Sequence, residues 1–374
     1  MSIYHVEKHE VCSNLQLIMS CEHAIMSTFD PIIASDYILP EILSLEDQAV
    51  FAKSWHLVGC ANDLSQHGDF FVTHIGQESV VVINDRGALR ALSNICRHRG
   101  HPLLTGSGNT QQISCPYHSW RYQTDGQLLR APNAKRVANF STADICLPSY
   151  AVRREQDLIW VCLAQDEPFP AHQLARVSEE IYERLGPLSA LNSLTQSEYY
   201  IAANWKVVMD NYLECYHCGV GHKSFCEVMA LPSYHGSADG CWSLQTAHYT
   251  GTIPLPLNSP KEWAFFSFYP NMIINITPGV RQINFMQVVP VSAEQTLVKL
   301  RTWRDGEENA LTALLANVIL DVKREDIAYC EAVQRGYHSA SFTQGIVMAD
   351  ESGGPLSELA VLHFHQWLKH RMPS

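Results

Sequence analysis

Between Trp55 and about Val161 the apolar residues come in short alternating segments, Phe70 to Thr73, Ser79 to Ile83 and Leu128 to Leu129 among them, punctuated by Gly, Asp-Gly and Asn-Asp turns. Period-two alternation over such short runs predicts strands, and their close spacing predicts a small all-β domain. After Gln165-Asp-Glu-Pro-Phe-Pro the rhythm changes. Helical spacing over Val177–Leu185 and Trp205–Cys218 gives way to strand-like runs at Met272–Ile276 and Ile283–Val289, then to two helical stretches, Leu311–Gln334 and Leu356–Leu368. The predicted class is α+β, with a small all-β domain over 55–165 and a larger domain over 166–374 in which an antiparallel sheet carries flanking helices. Upstream, helical periodicity over Tyr37–Trp55 predicts an arm (26–54) packed on the larger domain. Residues 1–25 contain only the short apolar patch Leu15–Met19 and are expected to form a flexible extension. No internal repeat or low-complexity segment is present.

Length changes this picture little: 374 residues suit two domains, each able to bury its own core, so metal sites need not be scaffolding. Charge excludes more. A net charge of −12, without any basic run, argues against a nucleic-acid partner. No apolar run approaches the roughly 20 residues that span a bilayer, so no membrane association is expected. Twelve cysteines spread over a long chain do not read as a disulfide framework; reduced, metal-binding thiols in a cytoplasmic protein fit better.

Two constellations carry the chemistry. In the first, Cys96-Arg97-His98 is followed by Cys115-Pro116-Tyr117-His118, two Cys/His pairs that two adjoining turns could bring to one centre. Two thiolates on one iron and two imidazoles on the other make a Rieske-type [2Fe–2S] cluster. A structural zinc site uses the same ligand types, but the paired order, with Gly100, Pro102 and Pro116 beside it, favours the cluster. In the second, Asn204-Trp205-Lys206 leads into the stretch Asp210 to His222, dense in metal-binding groups. On one continuous helix His217 and His222 would diverge, and Gly219 and Gly221 are read as breaks that let His222 swing back. Two imidazoles and a carboxylate make the facial triad of a non-haem Fe(II) centre, with positions left open for dioxygen and substrate. The late helix offers Asp321, Glu325, Asp326 and Glu331 as the acid.

Cys96-Arg-His-Arg-Gly-His and Cys115-Pro-Tyr-His-Ser-Trp resemble the two boxes of the Rieske domain family, over Trp55 to Val161. Together with the second constellation, the chain resembles the oxygenase (alpha) component of Rieske non-haem iron oxygenases. That resemblance implies a catalytic domain of the helix-grip type, Asp326 as the carboxylate ligand, and Asn211 as a residue near the iron. It also implies that Glu214 bridges His118 of one subunit to His217 of the next in a homotrimer, because the two centres of one chain lie too far apart for fast electron transfer. Electrons are then expected from NAD(P)H through a separate flavin/iron–sulfur reductase, since no Gly-x-Gly-x-x-Gly fingerprint appears in this chain.

Glu at 214, where most ring-attacking members carry Asp, and the segment Asn204 to Gly219 are similar to the quaternary-ammonium branch, which acts on carnitine, glycine betaine, choline and stachydrine. Lys223 departs from that branch, whose second iron histidine is followed by Pro. The implied reaction is a monooxygenation of carbon beside a quaternary nitrogen, leading to C–N cleavage or alcohol oxidation. A quaternary ammonium offers no N–H, so aromatic faces must recognise it. Candidates are Tyr212, Tyr216, Trp242, Phe266 and Phe268, with Trp263, Phe265 and Tyr269 in the same runs. Two alternatives stand beside this reading: oxidation of an aromatic acid by the same metals, and a non-catalytic Rieske electron carrier or zinc module.

Overall fold

Pro40 at the first helical position opens helix α1 (Pro40–Glu46), and the chain continues as a wide turn that buries Val50 and Phe51. This arm is fixed to the larger domain by a buried ion pair: Lys206 Nζ donates to Glu46 Oε1 at 2.6 Å, and Trp205 Nε1 donates to Glu46 Oε2 at 2.7 Å. The computed structural model describes residues 32–373; the extension expected over 1–25 lies outside them.

A seven-stranded antiparallel sheet forms the first domain, in the spatial order His56–Cys60, Leu158–Cys162, Ser149–Glu155, Ala88–Ser93, Glu78–Asp85, Asp69–Ile75 and Ser107–Asn109. A smaller three-stranded sheet, Ile113–Ser114, Arg121–Tyr122 and Leu128–Arg130, stands beside it. The alternating runs of the sequence fall within these strands. Beyond residue 165 a second seven-stranded antiparallel sheet follows, ordered Asn192–Ile201, Gln295–Arg304, Gln282–Ser292, Met272–Ile276, Glu262–Phe268, Trp242–His248 and His235–Asp239.

Its two faces bury different partners. One packs on helix α2 (Ala171–Leu185), where Leu174, Val177 and Ile181 meet Trp242, Phe266, Phe268, Phe285 and Trp303. The other is covered by helices α3 (Trp205–Tyr212), α4 (Ala310–Tyr337) and α5 (Leu359–Arg371), with Met209, Cys330 and Phe364 set against Ile273, Val288 and Val298. Among the described residues no helix is long and apolar enough to cross a membrane. Among the described residues the expectation of reduced thiols meets one exception. Cys215 and Cys218 are joined as a disulfide, because a Cys-x-x-Cys spacing at the start of a helical turn brings their Cα atoms to 4.9 Å.

Candidate metal centres

The two Cys/His loops close by the same hydrogen-bond pattern. Cys96 N–H donates to His101 O at 2.9 Å and Gly100 N–H returns to Cys96 O at 3.1 Å; Cys115 N–H donates to Trp120 O at 2.8 Å and Ser119 N–H returns to Cys115 O at 3.0 Å. The residue four positions after each cysteine is left-handed, Gly100 with φ 71° and Ser119 with φ 57°. These matched turns set the buried thiols of Cys96 and Cys115 side by side. They also bring the rings of His98 and His118 to 4.7 Å. Tyr122, fully buried, accepts Arg97 N–H at 3.0 Å and sets its hydroxyl 3.3 Å from Cys96 Sγ. The His118 Nδ1 atom is buried without a hydrogen-bond partner. Two paired thiols and an orphaned imidazole nitrogen fit a [2Fe–2S] cluster held by Cys96, Cys115, His98 and His118.

The second centre lies between the segment that follows α3 and helix α4. Asn204 caps α3 by accepting Lys206 N–H at 2.9 Å, while Gln334 of α4 accepts Asn204 N–H at 2.9 Å, tying the two helices together. Helical spacing predicted α3 as far as Cys218, but it stops at Tyr212. The Glu214 carboxylate accepts the backbone N–H groups of Tyr216 and His217, which gives this stretch an alternative to helical hydrogen bonds. Gly219 and Gly221 do not act as breaks. Both lie inside a helical turn, Cys218–Gly221, and the chain bends at His222 itself, φ −117° and ψ 69°. Gly221 serves close packing instead: a Cβ there would stand 3.0 Å from the Tyr329 ring.

Three ligand atoms converge. His217 Nε2 and His222 Nε2 are 2.9 Å apart, and Asp326 Oδ1 lies 3.5 Å from the first and 3.0 Å from the second. The outer nitrogen of each ring is held by a carboxylate: His217 Nδ1 by Glu214 Oε1, and His222 Nδ1 by Glu325 Oε2 at 2.7 Å. Burial opposes charge on His217, but Asp326 and Glu214 outweigh it and hold its pKa at about 9. Burial likewise opposes charge on His222, yet Asp326 and Glu325 raise its pKa, while the same two imidazoles lower that of Asp326 against its own burial. The centre is therefore arranged to hold positive charge. Asp326 Oδ1 is otherwise an orphaned buried acceptor. Two facing imidazole nitrogens and such an oxygen fit a mononuclear iron with open positions.

The other site residues divide. Tyr212 faces this centre's side of the sheet, its hydroxyl bonded to Asn275 Oδ1 and its ring edge-on to Phe265 at 6.3 Å. Gln245 Nε2 donates to Tyr212 O at 3.0 Å. Trp263 stacks with Phe265 at 6.0 Å, and Phe225 packs edge-on against both. Tyr216 projects outward and is 45% exposed. Asn211 is half-buried on α3 and makes no hydrogen bond to the His–Asp cluster among the described residues. Trp242, Phe266 and Phe268 are a correction: they belong to the core under α2, on the far face of the sheet. Alternation along a strand puts 263 and 265 on one face and 266 and 268 on the other, and the sequence does not say which face meets α4, the helix that carries Asp326. Sequence reasoning missed Gln245, Asn275 and Phe225 altogether, and it offered Glu325 as one of four acids for the iron, not as the support of His222; adjacency to Asp326 was its only signal. A cavity of about 340 Å³ between the domains, lined by His74, Asn94, Gln287 and Lys299, touches neither metal centre.

Comparison with known proteins matches residues 54–141 to the Rieske [2Fe-2S] domain and residues 188–374 to the ring hydroxylating alpha subunit (catalytic domain). The chain is 33% identical over 333 residues to the carnitine monooxygenase oxygenase subunit of Escherichia coli (strain K12), covering 86% of this chain and 88% of that one. It is 25% identical over 350 residues to the chloroplastic choline monooxygenase of Spinacia oleracea, covering 91% and 77%. The crystal structure of the quaternary ammonium Rieske monooxygenase CntA in complex with L-carnitine matches with a TM-score of 0.80 at 29% identity, covering 91% of this chain and 95% of that one.

Proposed function

This chain belongs to the ring-hydroxylating alpha-subunit family of Rieske oxygenases, and from that premise we propose that it hydroxylates a carbon beside a quaternary nitrogen in a carnitine-, betaine- or choline-like substrate. The observation that carries the reading is the convergence of His217, His222 and Asp326 in a chain that also pairs two Cys/His loops. Its relatives, which include carnitine and choline monooxygenases, support the substrate class.

With iron held by His217, His222 and Asp326, the centre supplies dioxygen activation with electrons from the cluster. The residues of the chain do the rest. Glu214 and Glu325 each take an Nδ1–H, which fixes the tautomer in which both Nε2 lone pairs face inward. The rings of Tyr212, Phe265, Trp263 and Phe225 line the helix-side face of the sheet with apolar surface and electron-rich faces, to which a cation that cannot donate a hydrogen bond is drawn. The side-chain N–H groups of Gln245 and Asn275 belong to the same wall and suit the polar end of such a substrate. Hydroxylation beside the nitrogen gives a hemiaminal that expels an amine, or converts an alcohol carbon to the aldehyde level. Electrons come in this reading from NAD(P)H through a separate reductase, in a cytoplasmic homotrimer whose Glu214 links the His217 of one subunit to the His118 of its neighbour.

The test is oxygen uptake by the iron-loaded enzyme with a chemical reductant, against carnitine, γ-butyrobetaine, glycine betaine, choline, stachydrine and a set of aromatic acids. Uptake matched mole for mole by product from a quaternary amine is expected; tight coupling with aromatic acids alone overturns the proposal.

A further inference from the structure

Cys215 and Cys218 bracket the first iron ligand. Cys215 follows Glu214, which holds the outer nitrogen of His217, and Cys218 follows His217 itself. Both are buried in the apolar cluster that contains Phe225, Met229, Trp263 and Leu315, and their sulfurs are joined. A bond across a sequence separation of 3 closes a very short loop, and so short a loop restrains the unfolded chain little. Stability of the fold does not account for the pair.

Its position beside the metal centre does. One ligand atom from each of His217, Cys218 and His222 lies within 4.8 Å of the other two, so a sulfur stands next to the imidazoles that face Asp326. While bonded to Cys215, that sulfur is not a thiol and is withheld from a metal ion. Freed, the Cys218 side chain turns between staggered χ1 positions and brings its sulfur to the imidazoles. The donor set then changes in kind. Two imidazoles and a carboxylate leave positions open on iron, whereas a thiolate added to them completes four protein ligands, the closed tetrahedral set of a structural zinc site. Thiolate also selects zinc, which already stands above ferrous iron in the general order of affinity.

We propose that the Cys215–Cys218 bond selects the metal: closed, it reserves the centre for iron with open positions; open, it creates a zinc site of His217, Cys218, His222 and Asp326 with no position for dioxygen. Cys215 determines this specificity without touching the metal, by holding Cys218 away. Opening the bond takes two electrons and two protons from a dithiol, which leaves as its own disulfide, and the Cys218 thiol passes its proton to water as zinc binds. Cys226, a further thiol of this wall, donates its S–H to Cys218 O at 3.5 Å and stands outside the set. The proposal rests on the function given above, since it needs iron ligands at 217, 222 and 326.

The test uses the assembled enzyme with its cluster loaded, its second centre emptied by a chelator and refilled with one equivalent of zinc per chain. X-ray absorption at the zinc edge then reads this centre alone, because the cluster metal is iron. Cys215→Ser and Cys218→Ser both lose the disulfide, but only the first keeps a sulfur at 218; Cys215→Ala replaces the serine variant if that one does not assemble. A zinc–sulfur distance of about 2.3 Å is expected in Cys215→Ser and in parent reduced with a phosphine, with nitrogen and oxygen alone in untreated parent and in Cys218→Ser. In competition between zinc and ferrous ion, Cys215→Ser should favour zinc by about tenfold or more over Cys218→Ser. Zinc bound by nitrogen and oxygen alone in the Cys215 variant overturns the proposal. So does alkylation with mass analysis that finds both thiols free in untreated parent loaded with iron. Parent that holds neither ion at this centre, with iron in the cluster only, removes the functional reading itself.

Discussion

His217 is held by two carboxylates at once, Glu214 on its outer nitrogen and Asp326 near its inner one, and this sets how the centre responds to pH. With a pKa of about 9 the imidazole of the metal-free protein is charged at neutral pH, so an entering ferrous ion must displace that proton. Metal affinity should therefore climb with pH up to about 9, with at least one proton released per ion bound at pH 7. The stability consequence has the opposite sign. A pKa raised above the ordinary 6.5 stabilises the metal-free fold fully below 6.5, and that contribution fades as pH rises through 9. Calorimetric titration with Co(II) in two buffers of different ionisation enthalpy counts the protons; none released at pH 7 contradicts the assignment. Truncating the ligand and its support should differ in degree. Asp326→Ala should abolish mononuclear iron and leave the cluster spectrum intact, whereas Glu325→Ala, which frees the His222 ring, should weaken iron binding by about 10- to 100-fold. Metal analysis after ferrous loading separates the two. Ligand types were legible because few chemistries need that residue set at that spacing. The aromatic wall was not: Phe265 and Phe266 are equivalent in a run of seven apolar-rich residues, and only which helices cover each face of the sheet, α2 on one and α3 to α5 on the other, distinguishes them.

Helix α4 and the segment that follows α3 carry the centre, and the mutual position of α3 and α4 depends on groups far from the metal. Gln334 accepts the N–H of Asn204 and donates to Tyr37 O at 3.1 Å, and Glu331 accepts Ala202 N–H at 3.2 Å, so the late helix, the α3 cap and the arm are joined by one set of side chains. Lys206 completes the joint, with a side chain 2% exposed against a Glu46 side chain 3% exposed. Removing one partner of such a pair leaves a buried charge unanswered, so Lys206→Met should destabilise the protein by about 3–5 kcal/mol, and Glu46→Gln combined with it should recover part of that loss. Thermal or denaturant unfolding of the single and double variants checks this. The periodicity of 311–334 fixed α4 to within a turn, because an apolar stripe of that length has one interpretation. It overran α3, because Leu213 to Cys218 has ordinary helical composition; the competing hydrogen bonds of the Glu214 carboxylate end the helix, and a hydrophobic pattern does not register them.

At the scale of the molecule the two centres belong to different bodies of packing. The cluster loops close over Phe70, Leu92, Leu103 and Tyr122, the iron residues over Phe225, Met229, Trp263 and Leu315, and a third cluster of apolar residues, including Val58, Trp205 and Val298, joins the domains between them. Each centre instead opens outward, His98 and Tyr117 at one end and Tyr216 and Val220 at the other. In the proposed trimer the electrons reach iron from the cluster of a neighbouring subunit, and this wiring has a consequence that a chain acting alone does not share. Co-expressed Asp326→Ala chains, which lack iron, and Cys115→Ala chains, which lack the cluster, are each inactive alone. In a closed ring of three that holds both kinds of chain, one contact in three sets an intact cluster against an intact iron, so about a third of parental turnover should return. Substrate-dependent oxygen uptake of the mixed assembly, purified through a tag on each chain, measures it. Turnover no higher than that of the separate variants would place both centres of each working pair within one chain, and Glu214 would then serve only to hold His217.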